Sequence, residues 1–239
     1  MTREILLLRS SDLSQGNSNQ GRLEVTVPVK GTYLLLEFSV NDRLYNVNSN
    51  NNKVYLRINS TTNYTKTLTP GYYSLAQLAS ELSTQLNTIS GQTFTVTSDS
   101  KTGKMTVSIM GDNEFNFTFN TNKLNSARII LGFSQVDTNN GSVQTSDNSA
   151  DLTPCKTIFC RIGHDPNVVS NNHLYTSLLL SGDSQFGGVF RYKLSQSYPQ
   201  MICFNTSTKS VGYHFHDDKN ETIDFNGCEW MMLLQKISD

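Results

Sequence analysis

The chain has 239 residues, a net charge of −1 and only 16% charged side chains. No basic field is available to hold a nucleic-acid backbone, which disfavours specific nucleic-acid binding, and no apolar run reaches the length of a membrane span. A chain this long can bury a sizeable core, and an all-β unit of this size commonly forms one body.

The N-terminus, MTREILLLRSSD, carries an apolar run from Ile5 to Leu8 that is too short for the core of a secretory leader and is followed at once by Arg9. The expected setting is therefore the inside of a cell, with Cys155, Cys160, Cys203 and Cys228 reduced. Residues 1–20 combine this short run with SSDLSQGNSNQ, which lacks core-forming side chains. They are expected to form an N-terminal arm that orders against a partner, in front of a body from 21 to 239.

Within the body, alternation of apolar and polar residues is the main signal. Leu23, Val25 and Val27 alternate with Glu24 and Thr26, and Val54, Leu56 and Ile58 with Tyr55 and Arg57; both predict half-buried strands. The runs Thr32 to Val40, Thr157 to Ile162, Leu174 to Leu180, Val189 to Leu194 and Trp230 to Leu234 are more continuously apolar. They suit strands buried on both faces or strands at a subunit contact.

After Pro70-Gly71, Leu75, Leu78, Ala79, Leu82 and Leu86 recur at three- and four-residue steps, with Ser74 and Gln77 spaced as a capping box. This predicts an amphipathic helix of about four turns. Thr93 to Ser98 and Met105 to Ile109 flank a turn-rich DSKTGK connection and predict a hairpin. Phe115, Phe117 and Phe119, interleaved with Asn116 and Thr118, predict a half-buried strand. A second short helix is expected around Leu124 to Leu131, stopped by Gly132. The stretch 70–135 thus forms a helix-plus-hairpin insertion or subdomain, and the fold class is an all-β sandwich with an inserted amphipathic helix.

The most chemical-looking patch is His214-Phe215-His216-Asp217-Asp218. On a strand, His214 and His216 point to one face and two carboxylates follow, which could seed a metal site, yet no third ligand is placed by spacing. The plainer reading is a polar strand face running into an Asp-rich turn. Cys155 and Cys160 lack paired CxxC spacing, and the thiols are expected in or near the core as small hydrophobes. Ser74 is explained by capping, Gly187-Gly188 lacks the Lys of a phosphate loop, and an Asp224 and Glu229 pair has no support from spacing. No catalytic, cofactor-binding or metal residues are assigned, and the chain is expected not to be an enzyme.

The order of segments is more specific than any single motif. A GYYSLAQLASELSTQLN helix is followed by the hairpin FTVTSDSKTGKMTVSI, the aromatic strand FNFTF and then LNSARIILGF; the C-terminal stretch is YHFHDDKNETIDFNGCEWMMLLQK. This order, with its LGF ending, D-D turn and I-D-F-x-G element, resembles the penton (minor capsid) proteins of Polinton-like viruses, adintoviruses and virophages over most of residues 60 to 239. Residues 150 to 200 match less closely, and the strand Phe190 to Leu194 lacks the Pro that often closes its counterpart. The resemblance implies a jelly-roll β-sandwich, a homopentamer at an icosahedral capsid vertex, contact with a double-jelly-roll major capsid protein, a virion location and no cofactor. The arm through Gln20 would dock on that neighbouring protein. The rival expectation is a receptor- or glycan-binding fibre head or lectin-like sandwich, with Tyr45, Tyr64 and Tyr198 as ligand platforms.

Overall fold

The computed structural model describes residues 4–17, 19–119, 123–134, 137–153, 157–163, 175–181, 186–194, 199–217 and 220–238. In chain order the strands are β1 (Ile5–Arg9), β2 (Leu13–Gly16), β3 (Gln20–Asn41), β4 (Lys53–Ile58) and β5 (Thr62–Thr67), then helix α1 (Leu75–Leu86). They continue with β6 (Phe94–Ser98), β7 (Met105–Ile109), β8 (Phe115–Phe117), β9 (Val143–Thr145), β10 (Thr157–Gly163), β11 (Tyr175–Ser181), β12 (Val189–Lys193), β13 (Met201–His216) and β14 (Trp230–Ser238). Mostly strand with one α-helix among the described residues, the chain is all-β and jelly-roll-like, as expected. It divides into two compact units, Met1–Leu44 with Cys155–Asp239, and Tyr45–Pro154.

The first unit is an eight-stranded antiparallel sheet in the order β1-β14-β3-β13-β10-β11, with β12 and β2 also paired to β3. Its organising element is β3, long enough to serve two layers. Its C-terminal half pairs with β14 on one edge (Phe38 opposite Met232) and β12 on the other (Phe38 opposite Tyr192). Its N-terminal half pairs with the far end of β13, Gly21 opposite Tyr213.

Between these halves lies Gly31, with φ of 101°, beside the register shift after Phe204. A left-handed residue and a bulge together let a strand turn a corner. The sheet consequently folds back on itself, which brings Phe38 to 5.4 Å from Phe215 and Trp230 to 4.9 Å from Tyr213, ring centre to ring centre. The enclosed core includes Leu8, Tyr33, Leu35, Cys160, Tyr213 and Trp230, all essentially inaccessible.

The segment expected to be an arm is built into this body. β1 pairs with the C-terminal strand, Ile5 opposite Gln235 and Arg9 opposite Met231, and Leu8 is 1% exposed. A four-residue apolar run cannot make a core alone, but as an added strand it needs only one inward side chain to be fixed. Deletion of residues 2–20 would therefore remove core as well as any docking function.

The second unit is wider than the expected 70–135 stretch, because it takes in β4 and β5 and runs on to 154. It holds two three-stranded sheets, β5-β4-β8 and β6-β7-β9. α1 begins with the capping box: the Ser74 hydroxyl accepts from the Gln77 N–H, and the Gln77 side chain accepts from the Ser74 N–H. Leu78, Ala79, Leu82 and Leu86 are its buried stripe, and it packs on β6. Phe94, Phe115, Phe117, Phe119 and Phe133 form a continuous aromatic cluster with centroid spacings of 4.9–5.6 Å.

Two expectations for this unit need correction. The aromatic strand is buried on both faces, Asn116 and Thr118 included. No helix forms at Leu124 to Leu131: the edge of β4 takes its backbone, with Lys53 N–H donating to Asn125 O and Ala127 N–H to Lys53 O, and Asn125 turns left-handed. Once those groups are committed to a strand, a helix ladder cannot run through them. Gly132 does end the segment; a Cβ there would lie 2.4 Å from Asn148 O.

Candidate functional site

The histidine patch lies where β13 meets β10, both in the first unit. Tyr213 and Phe215 point into the core, so His214 and His216 share the opposite face, 5.7 Å apart between ring centres. In register, His214 sits opposite Arg161 and His216 opposite Phe159, whose ring stacks on the imidazole at 5.4 Å with planes 11° apart. The His216 Nδ1–H donates to Asp217 O at 2.9 Å, which leaves Nε2 as a bare lone pair, buried and without a hydrogen-bond partner. His214 Nε2 bonds the Thr222 hydroxyl at 2.8 Å.

Burial lowers both imidazole pKa values. For His214 the neighbouring His216 and then Arg161 add to the effect, and for His216 Arg161 does so against the pull of Asp217. Both rings are thus held neutral, as metal ligands must be. Yet the carboxylate of Asp217 is turned to the chain, its Oδ1 accepting from the Glu221 N–H at 2.8 Å. Among the described residues no group of three or more His, Cys, Asp or Glu side chains is placed to hold an ion. Asp218 lies outside the described residues. The arrangement staples a turn: the Asp217 N–H donates to Glu221 O, and His216 pairs across to Thr222 as an isolated bridge.

The remaining sequence candidates are dispersed. Cys160 is buried, and burial pushes its thiol pKa well up, so it is an inert core side chain. Cys228 packs against the same core. Cys203, expected in or near the core, is instead exposed, because β13 alternates and Ile202 and Phe204 take the inward positions. Cys155 and Tyr198 lie outside the described residues. Asp224 is used in a loop, accepting from the Asn226 N–H and from the Asn19 side chain, while Glu229 is exposed. Tyr64 packs against the core of the second unit, and Tyr45 is half-buried.

A different feature has the character of a site: the outward face of β1, β14, β3, β12 and the start of β13 in the first unit. Cross-strand partners share a face, and the registers place three rows across this layer. One is Ile5, Gln235, Leu34 and Met201; the next is Leu7, Leu233, Glu37 and Lys193; the third is Arg9, Met231, Ser39 and Arg191. The inward neighbours Leu8, Tyr33, Leu35, Phe38, Met232 and Leu234 fill the core, whereas Ile5, Leu7, Leu34, Met201, Met231 and Leu233 have no part in it. Ile5 and Met201 are each about half exposed, as is Ile237 beyond Gln235.

Charge gathers at the β12 edge, where Arg191 and Lys193 flank Glu37, which Arg191 meets at 3.4 Å, and Arg9 stands at the far, β1 edge. The signal for this face was present in the continuous apolar runs of β3 and β14. The structure shows that only one side of each run is spent on the core, and that Leu179 of β11, in another such run, is likewise exposed.

No family model matches the sequence, and no curated protein matches it. Comparison of structures finds the flagellar cap protein FliD D2-D3 domains from Escherichia coli, 10% identical, spanning both chains completely with a TM-score of 0.16. It also finds the penton protein of mavirus, a virophage, 12% identical, over 99% of this chain and 100% of that one, with a TM-score of 0.49.

Proposed function

We propose that the chain is a non-enzymatic, penton-type minor capsid protein that assembles as a pentamer at icosahedral vertices and contacts a double-jelly-roll major capsid protein. The order of motifs from residue 60 to 239 supports the family. The observation that carries an assembly role is the outward face of the first unit, with its apolar rows from Ile5, Leu7, Leu34, Met231 and Leu233 and its charged flank. An apolar centre with a charged rim is the anatomy of a protein interface.

A five-fold ring needs a heterologous contact, with this face meeting a different surface of the next copy. Native mass measurement of the full chain tests the reading: five copies are expected. Leu233→Arg, which places a charge at the middle of the face without touching the core, is expected to shift the protein to single copies with its far-ultraviolet circular dichroism unchanged. A wild-type chain that stays monomeric at high concentration, or a pentamer indifferent to Leu233→Arg, overturns it. Three copies with specific binding on a glycan array would turn the assignment to a fibre head.

A further inference from the structure

The two outer edges of the first unit's sheet are treated differently. On β11 the Leu179 N–H and C=O are both taken by the side-chain amide of Gln200, which stands in for a neighbouring strand and blunts that edge. β1, at the other end, pairs only with β14, and no such side chain covers its free edge among the described residues.

Facing that edge is a second gap. On the side of β3 away from β13, β2 reaches only Leu23 and β14 begins only at Thr32, so residues 24–31 have no strand partner there among those described. The two open edges border a groove of about 570 Å3. Leu6, Leu8, Leu23, Val25 and Val29 line it, and Val27, 67% exposed, stands at its rim. Leu6 and Leu8 are the β1 residues that point away from the assembly face, while Ile5, Leu7 and Arg9 of that face also border the groove, so the two surfaces meet along β1.

An apolar floor between two unpaired strand edges, the β3 edge interrupted by Pro28, which has no N–H to donate, is matched by one kind of occupant, an extended chain that bonds through its backbone at the remaining positions and drops alternate side chains onto the floor. Charge narrows the choice. Glu4 is engaged by Lys236 and Tyr33, and of the other rim charges Asp12 and Glu24 outnumber Arg9. We propose that this groove receives an extended segment of a partner protein as an added β-strand, with apolar side chains at alternate positions and basic residues flanking them.

The test uses the full chain and a fluorescein-labelled nonapeptide that alternates valine with threonine and carries lysine at each end, followed by fluorescence anisotropy. Saturable binding is expected, with slowed amide hydrogen exchange in residues 5–9 and 24–31. The same peptide N-methylated at its valines keeps the side chains but cannot pair, and is expected to bind at least tenfold more weakly. Val27→Lys lies outside the core, leaves the fold intact and is expected to weaken the unmethylated probe at least fivefold. No saturable binding, equal affinity for the methylated probe, or binding indifferent to Val27→Lys overturns the proposal. So does concentration-dependent self-association without peptide that Val27→Lys abolishes, because the occupant would then be a second copy.

Discussion

The two units reach a β-rich core by opposite routes. The second is local: β4 turns directly into β5 through Asn59 and Ser60, both at positive φ, α1 hands on to β6, and β6 turns into β7. The first is sewn from the two ends of the chain, with Ile5 opposite Gln235 and Gln20 opposite His214. Local pairing lowers the entropy of closing each contact, whereas the first unit must hold its N-terminal strands until the last strand arrives. The price of that closure is repaid by a core assembled from eight strands, and its unpaired edges and apolar outer rows are left without a covering element among the described residues. The exposed surface of the second unit carries scattered apolar residues such as Met110 and Leu124, with no comparable set of cross-strand rows among the described residues.

The contrast is broken most severely at the aromatic centres. Trp230→Ala, which removes the ring touching Phe38, Tyr213 and Phe215, is expected to cost the first unit about 3–5 kcal/mol. Phe117→Ala is expected to cost the second unit about the same, through contacts with Phe115, Phe119 and Phe133. Amide exchange reads each loss, in β13 and β14 for the first and in β4 and β8 for the second.

Next comes Leu8→Ala, for which about 2–5 kcal/mol is expected from a buried leucine. This variant sharpens the comparison, because a free arm would lose almost nothing; an unchanged denaturation midpoint would return residues 5–9 to that role. Ser74→Ala should cost only about 1 kcal/mol by removing the cap of α1, seen as faster exchange confined to the first turn of the helix.

The smallest effect is spread over pH. His214 and His216 have folded pKa values below the ordinary 6.5, so on acidification the unfolded chain takes up protons first. Stability from these groups is full above about 6.5 and declines as pH falls from there through the lowered folded values. Melting temperatures between pH 7 and 5 should therefore fall for the wild type and fall less for His216→Gln. Parallel curves would assign the acid sensitivity to other groups.

The candidate surfaces were only half legible in advance. Continuous apolar runs at Thr32 to Val40 and Trp230 to Leu234 announced strands with no polar face, but not whether the second face would be covered within the chain. The alternation around His214 and His216 placed the two rings together, while the burial of His216 depended on Phe159, a residue of another strand. The helix expected near Leu124 failed because its backbone was claimed by Lys53, far away in sequence.

What the sequence determined by itself is everything set within one or two turns of chain: the β-rich character, the capped helix at Leu75–Leu86 and the hairpin between Phe94 and Ile109. These depend on periodicity, capping and turn chemistry, which act between near neighbours. Only the tertiary structure decided that Ile5–Arg9 is an edge strand on β14, that Leu7, Leu34 and Leu233 face outward together, and that a groove is left between β1 and β3. Each of those is a matter of register between distant strands, and a shift of one residue would send every side chain to the opposite face.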